Sequence, residues 1–116
     1  MEELKARTRN YSLRIIKLYD SLPARGAGRV IGEQVLRSGT SVGAHYREAI
    51  RSRSSAEYAA KINSGLMELE ETLYWLELLE GAGLVTADRL APLMDETSQL
   101  TAIMVTLTKK AKRQRS

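Results

Sequence analysis

Apolar side chains recur at alternating spacings of three and four residues through nearly the whole sequence. In the first segment this stripe contains Leu4, Thr8, Tyr11, Ile15, Leu18 and Leu22. Three further segments carry similar stripes. Such periodicity places the apolar groups on one face of an α-helix. The chain is therefore predicted to be all-α, with four amphipathic helices and no strand.

Helix-breaking and helix-capping residues separate the four segments. Pro23 and the glycines after it end the first segment, and the second is expected from about Arg29. Ser54 with Glu57 has the form of a capping box at the start of the third. Two glycines then end the third helix, and Thr86 is expected to cap the fourth. Short loops between long helices predict an antiparallel four-helix bundle.

Composition narrows the class of protein further. Of the 116 residues 43% are hydrophobic, which suffices for one domain, over residues 1–116, to bury a core without metal or disulfide support. There is no cysteine, which excludes disulfides and thiolate chemistry. No stretch reaches the ~18 apolar residues of a membrane span, and the first residues lack the apolar region of a signal peptide. We expect a cytoplasmic protein with no membrane partner.

The second helix contains two glycines, Gly39 and Gly43, that weaken a helix unless another backbone must approach closely. They belong to a seam that continues to Tyr46, beside a second apolar seam through Val35 and Val42. One interpretation is a broad stripe that faces the core, or a kink at Gly39. The other, which we favour, is that one seam serves the bundle and the other contacts a neighbouring subunit.

The third helix is apolar almost all round between residues 73 and 79. Tyr74, Trp75 and Leu78 cannot all face the same core as Leu73 and Leu76. Tryptophan and tyrosine are favoured anchors of protein interfaces. We therefore predict a homo-oligomer, with Gly39, Gly43, Tyr46, Tyr74, Trp75 and Leu78 as candidate interface residues.

Three blocks of sequence resemble a known family. They are RSGTSVGAHYREA at residues 37–49, SSAEYAAK at 54–61 and EETLYWLELL at 70–79. Together they closely resemble the four-helix-bundle proteins named after intervening sequences in bacterial 23S rRNA genes, over about residues 10–108. The family usually has Asn where this chain has His45. The resemblance implies an up-down-up-down bundle that assembles as a ring-like homopentamer, without enzymatic activity. A related pentameric bundle, the accessory protein of diversity-generating retroelements, partners a reverse transcriptase and RNA.

No catalytic or cofactor-binding pattern is evident in the sequence. His45 is the single histidine and lies on an apolar stripe, where a hydrogen-bonded core or interface residue is the ordinary interpretation. A di-metal bundle needs two Glu-x-x-His pairs, which one histidine cannot supply. Phosphate-loop and dinucleotide-binding glycine motifs are absent as well. We predict a non-enzyme with no cofactor and no metal.

Basic and acidic residues are unevenly distributed. Residues 1–53 carry 11 basic and 5 acidic side chains, residues 54–108 carry 2 and 9, and the tail at about 109–116 adds 5 basic ones. Such asymmetry favours a polyanionic partner or self-association. The candidate phosphate contacts are Arg7, Arg14 and Lys17 in the first helix, Arg37, Arg47 and Arg51 in the second, and Lys109, Lys110, Lys112, Arg113 and Arg115 in the tail.

Two interpretations of these charges remain open. The tail is equally consistent with a solvated helix end whose cations suit the helix dipole. If the cations instead contact phosphates, the protein is a scaffold that binds RNA or an RNA-associated protein. The alternative function is a protein-binding adaptor with no nucleic-acid role.

Overall fold

The computed structural model describes residues 2–114, and within that range it consists of four α-helices joined by short loops, without a strand. The helices are α1 (Glu2–Asp20), α2 (Gly26–Ala49), α3 (Ser55–Gly81) and α4 (Ala87–Gln114). The prediction of an all-helical chain is confirmed. Extensive contacts join α1 to α2, α2 to α3 and α3 to α4, whereas α1 and α4 touch only sparsely.

The helix starts follow the predicted capping residues. The Ser54 hydroxyl accepts the backbone N–H of Glu57 at 3.1 Å, and the Thr86 hydroxyl accepts that of Arg89 at 3.3 Å. The Glu57 carboxylate reaches back to the N–H of Arg53, one residue before the cap. The start of α2 lies at Gly26, earlier than predicted, because this glycine adopts a positive φ of 68° that turns the chain directly into the helix.

The core contains one layer of hydroxyl groups, contributed by all four helices. The Tyr11 hydroxyl lies 2.7 Å from that of Thr97, and the Ser38 hydroxyl lies 2.7 Å from that of Thr72. Both threonines donate their own proton to a carbonyl one turn earlier in their helix. Tyr11 and Ser38 are therefore the donors in the interhelical bonds. Burial raises the pKa of Tyr11 to about 12.

The glycine seam of α2 faces α1 of the same chain. A methyl group added at Gly39 would lie 2.7 Å from Cγ1 of Ile15, and one at Gly43 would lie 3.5 Å from Thr8. Tyr46 is only 2% exposed. The preferred interpretation, in which a neighbouring subunit covers this seam, is therefore corrected to a broad stripe that faces the core. The physical reason is that α2 packs against both α1 and α3, and so needs two apolar faces within one chain.

Candidate nucleic-acid interface

The first of the predicted phosphate contacts, Arg7, is already neutralised. Its guanidinium donates to both carboxylate oxygens of Glu96 at 2.8 Å, and it also bonds Gln99. The pKa of Glu96 lies below its usual range, mainly because of the hydrogen bond from Arg7. A bidentate pair of this kind orients both groups. Arg7 therefore braces α1 against α4 and offers little to an external phosphate.

Arg37 is neutralised as well, by carboxylates of α3. Its guanidinium contacts Glu71 and lies 3.4 Å from Glu68. The indole N–H of Trp75 donates to the same Glu71 carboxylate at 2.9 Å. The pKa of Glu71 is lowered, first by the Trp75 hydrogen bond and then by Arg37. This cluster joins α2 to α3 along the outer surface of the bundle.

Arg14 and Lys17 have a different environment, which includes a cation that the sequence did not single out. Together with Arg89 of α4 they line a depression of about 300 Å³ between α1 and α4, which we call the cationic pocket. Arg89 donates to the Ser21 hydroxyl at 2.6 Å, which orients its guanidinium. Within the described residues, no carboxylate lies within ion-pair distance of these three cations.

Sequence reasoning missed Arg89 because it stands in the acidic part of the chain, 75 positions from Arg14. Its neighbours in sequence give it no visible role. The one available signal is its position two residues after Ala87, the first residue of α4, where a cation opposes the helix dipole. A basic side chain at that position destabilises the helix by itself, which suggests that it has a role outside the helix.

The remaining predicted cations lie at the opposite end of the molecule. Arg47 and Arg51 are exposed near the end of α2, and Lys109, Lys110, Lys112 and Arg113 are exposed on the last turns of α4. Arg115 lies outside the described residues. The structure thus divides the predicted cations into two neutralised arginines, the cationic pocket and a basic end.

The predicted interface residues of α3 are exposed to different degrees. Tyr74 is 54% exposed, whereas Trp75 and Leu78 are half-buried and Trp75 packs against the core. Met67, two turns before Tyr74, is 61% exposed. The other predicted interface residues are buried within the chain and have no surface left for a contact between subunits; they are Gly39, Gly43 and Tyr46.

His45 belongs to a network of polar contacts on the surface formed by α2 and α3. Its Nδ1 lies 3.2 Å from a Glu48 oxygen and its Nε2 lies 3.7 Å from a Glu68 oxygen. Lys61 approaches the same Glu48 oxygen at 3.4 Å. Nowhere in residues 2–114 do histidine and carboxylate groups cluster in a way that could hold a metal ion. None of the described helices is long and apolar enough to cross a membrane.

Known proteins resemble this chain both in fold and in family sequence. A crystal structure from Bacteroides thetaiotaomicron, described as a protein with unknown function from the S23 ribosomal protein family, is 33% identical and has a TM-score of 0.86. The similarity covers 90% of this chain and 97% of that one, so the fold is that of an S23-type helical protein. The family model for 23S rRNA-intervening sequence proteins matches residues 3–106. The chain belongs to this family, which confirms the resemblance. No curated protein matches the sequence.

Proposed function

We propose that the protein is a non-enzymatic, homo-oligomeric scaffold that binds RNA, or a ribonucleoprotein, through its phosphate groups. The observation that carries the proposal is the cationic pocket, which Arg14, Lys17 and Arg89 line together and in which none of the three forms an ion pair among the described residues. Cations that line one depression and have no ion-pair partner remain available to an external phosphate. Arginine is suited to phosphate because its planar guanidinium donates two parallel hydrogen bonds.

The family name supports RNA as the partner. Its members are called 23S rRNA-intervening sequence proteins, which connects them with an rRNA gene. The family match ends at residue 106, before the basic tail begins. Because Lys109, Lys110 and Lys112 of the tail are exposed, the tail is proposed to add phosphate contacts to those of the cationic pocket. Contacts of this kind are independent of base sequence and depend strongly on salt.

The proposal includes an up-down-up-down bundle that assembles into a ring. Contacts run in opposite order along α1 and α4, since Arg7 meets Glu96 whereas Ser21 meets Arg89. The exposed Met67 and Tyr74 on one side of α3 are suited to a subunit contact. Five subunits are proposed from the family resemblance. A ring would repeat the cationic pocket and so make further phosphate contacts effectively intramolecular.

A salt titration of RNA binding tests the proposal. The probe is a synthetic RNA hairpin, and the variant combines Arg14→Gln, Lys17→Gln and Arg89→Gln. The control combines Arg9→Gln, Arg25→Gln and Arg29→Gln, three exposed arginines outside the pocket, of which Arg29 pairs with Glu33. We expect the slope of log affinity against log salt to fall by about 0.7–0.9 for each phosphate that the variant no longer neutralises, and to fall less in the control.

Two outcomes would contradict this function. One is the absence of hairpin binding by the unaltered protein at ~50 mM salt, where phosphate contacts are strongest. The other is an equal change in slope in the pocket variant and its control. Deletion of residues 109–116 is a separate arm, which should reduce the slope while the bundle remains folded and assembled. An unchanged slope would remove the tail from the mechanism.

The alternative function is a protein-binding adaptor, and one observation favours it. Met67, Glu70, Tyr74 and Glu77 form an exposed stripe on α3 that combines apolar and acidic groups. Such a stripe suits a partner with a basic, partly apolar surface. Absence of RNA binding in the titration would make this adaptor the better proposal.

A further inference from the structure

One end of the bundle is only partly closed, because its helices differ in length. α1 has 19 residues and α4 has 28. At 1.5 Å per residue these correspond to about 28 Å and 42 Å. The last turns of α4, through Lys110 and Gln114, line a cavity to which, among the described residues of α1, Leu4 contributes. The end of α2 and the start of α3 complete its walls.

The cavity is large and its inner walls are apolar. Its volume is about 600 Å³, which lies within the range of small-molecule sites in proteins. The apolar walls consist chiefly of Leu4, Ile50, Tyr58, Ile103 and Leu107. Burial raises the pKa of the Tyr58 hydroxyl, in accord with its position against the apolar wall.

The lining also contains charged groups of one sign. Arg53 and Lys110 are both exposed and make no ion pair within the described residues. Ser54 and Ser55 bring the start of α3 to the same cavity, so the positive end of the helix dipole adds to this charge. The Glu57 carboxylate nearby is engaged by the backbone N–H of Arg53.

We propose that this cavity binds an aliphatic carboxylate, namely a free fatty acid of medium chain length. Its hydrocarbon chain would lie among Ile50, Ile103 and Leu107, where burial of each CH₂ is favourable. Its carboxylate would lie between Arg53 and Lys110. A nucleotide fits less well, because the apolar walls offer few partners for the polar edges of a base. The site is separate from the cationic pocket, so the inference does not depend on RNA binding.

Calorimetry with sodium decanoate, at concentrations below those at which it forms micelles, tests the inference. We expect saturable binding of one decanoate per chain. Arg53→Gln combined with Lys110→Gln should weaken it about tenfold, because neither side chain then offers a charged donor to the carboxylate. Lys109→Gln is the matched control, since Lys109 is exposed on the same turn but does not line the cavity. Decanol should bind equally to the unaltered protein and to the double variant.

A variant that fills the cavity provides a second test. Leu107→Trp should abolish decanoate binding while the circular dichroism spectrum stays helical, and Ile103→Phe replaces it should the first variant not fold. Absence of saturable binding, or retained binding in the filled variant, would overturn the inference. Equal weakening by Lys109→Gln would do the same. If the unaltered protein does not bind decanoate and the filled variant forms a smaller assembly, the cavity is instead a contact site for a second copy of the chain.

Discussion

Gly39 and Gly43 lie one turn apart in the middle of α2, but their surroundings differ. A methyl group at Gly39 would meet three carbon atoms of Ile15 at 2.7–2.9 Å. Ile15 is fully buried and β-branched, so it has little freedom to move away. A methyl group at Gly43 would meet Thr8 only at ordinary van der Waals distance, 3.5 Å. Close approach therefore requires glycine at position 39 and merely permits it at position 43.

The two positions should accordingly respond to alanine in opposite directions. Gly39→Ala is expected to destabilise the fold by about 1–3 kcal/mol through overpacking. Gly43→Ala should be neutral or stabilising by up to about 1 kcal/mol, because alanine favours the helix. Urea melts of the two variants measure both values. Equal changes in the free energy of unfolding would contradict the assigned packing of α1 on α2.

The Arg7–Glu96 pair predicts a dependence of stability on acid pH. The folded pKa of Glu96 lies below the ordinary value of 4.5, chiefly because of the hydrogen bond from Arg7. Its contribution is therefore present above pH 4.5 and is lost as the pH falls through the folded pKa. Glu96→Gln should cost about 1–2 kcal/mol at neutral pH. The difference from the unaltered protein should shrink below pH 4.5.

Glu33→Gln is the matched control for this measurement. Glu33 pairs with Arg29 at 3.4 Å on an exposed helix surface. Such pairs contribute less than about 0.5 kcal/mol. Thermal melts across the acid range should therefore show little change for Glu33→Gln. A constant difference between Glu96→Gln and the unaltered protein at every pH would contradict the role of the ion pair.

At the scale of the element, α3 has the least distinct polar face of the four helices. One of its sides faces the core, one contacts α2 and one presents an aromatic residue outward. One side faces the core through Leu69 and Leu76. A second carries Glu71, which binds Arg37 and Trp75, and so joins α3 to α2. The third presents Tyr74 outward, with its ring 5.2 Å from that of Trp75. The adjacent aromatic residues therefore belong to different surfaces.

Alanine at these two aromatic positions should separate folding from assembly. Trp75→Ala should lower the free energy of unfolding by up to about 3 kcal/mol, because a half-buried indole and its hydrogen bond are removed. Tyr74→Ala should change that free energy by less than about 0.5 kcal/mol. If α3 forms the subunit contact, Tyr74→Ala should nevertheless reduce the mass of the assembly. Size-exclusion chromatography with light scattering, beside a thermal melt, measures both.

At the scale of the whole molecule, the described residues form an elongated bundle of 48 × 21 × 19 Å with basic residues lining a depression at each end. The acidic α3 lies between these ends. Such a distribution favours contacts between oppositely charged surfaces of different copies. We expect light scattering at micromolar concentration to give a mass several times the 12.9 kDa of one chain. A mass near 12.9 kDa would contradict self-assembly.

Salt should distinguish how that assembly is held. An interface centred on Tyr74 and Met67 buries apolar surface, so it should persist in 1 M NaCl, where the Debye length is about 3 Å. An interface held by the cations alone should dissociate under the same conditions. Light scattering at low and high salt compares the two, and dissociation in 1 M NaCl would place the subunit interface on the charged surfaces.

Much of the fold could be predicted from local sequence. The stripe through Tyr11 and Ile15 identifies the buried face of α1, and Ser54 and Thr86 mark helix starts. These signals are local, because helix periodicity and capping depend on residues within a few positions of one another. The family was also recognisable from continuous blocks of sequence.

Only the tertiary structure decided which cations are available and which seam faces which helix. Arg7 and Arg14 are equivalent in sequence, but Glu96 neutralises the first while Arg89 joins the second. The glycine seam of α2 was equally compatible with a neighbouring subunit until α1 was found against it. Periodicity determines the face on which a side chain lies, whereas its partner depends on how residues distant in sequence come together in the bundle.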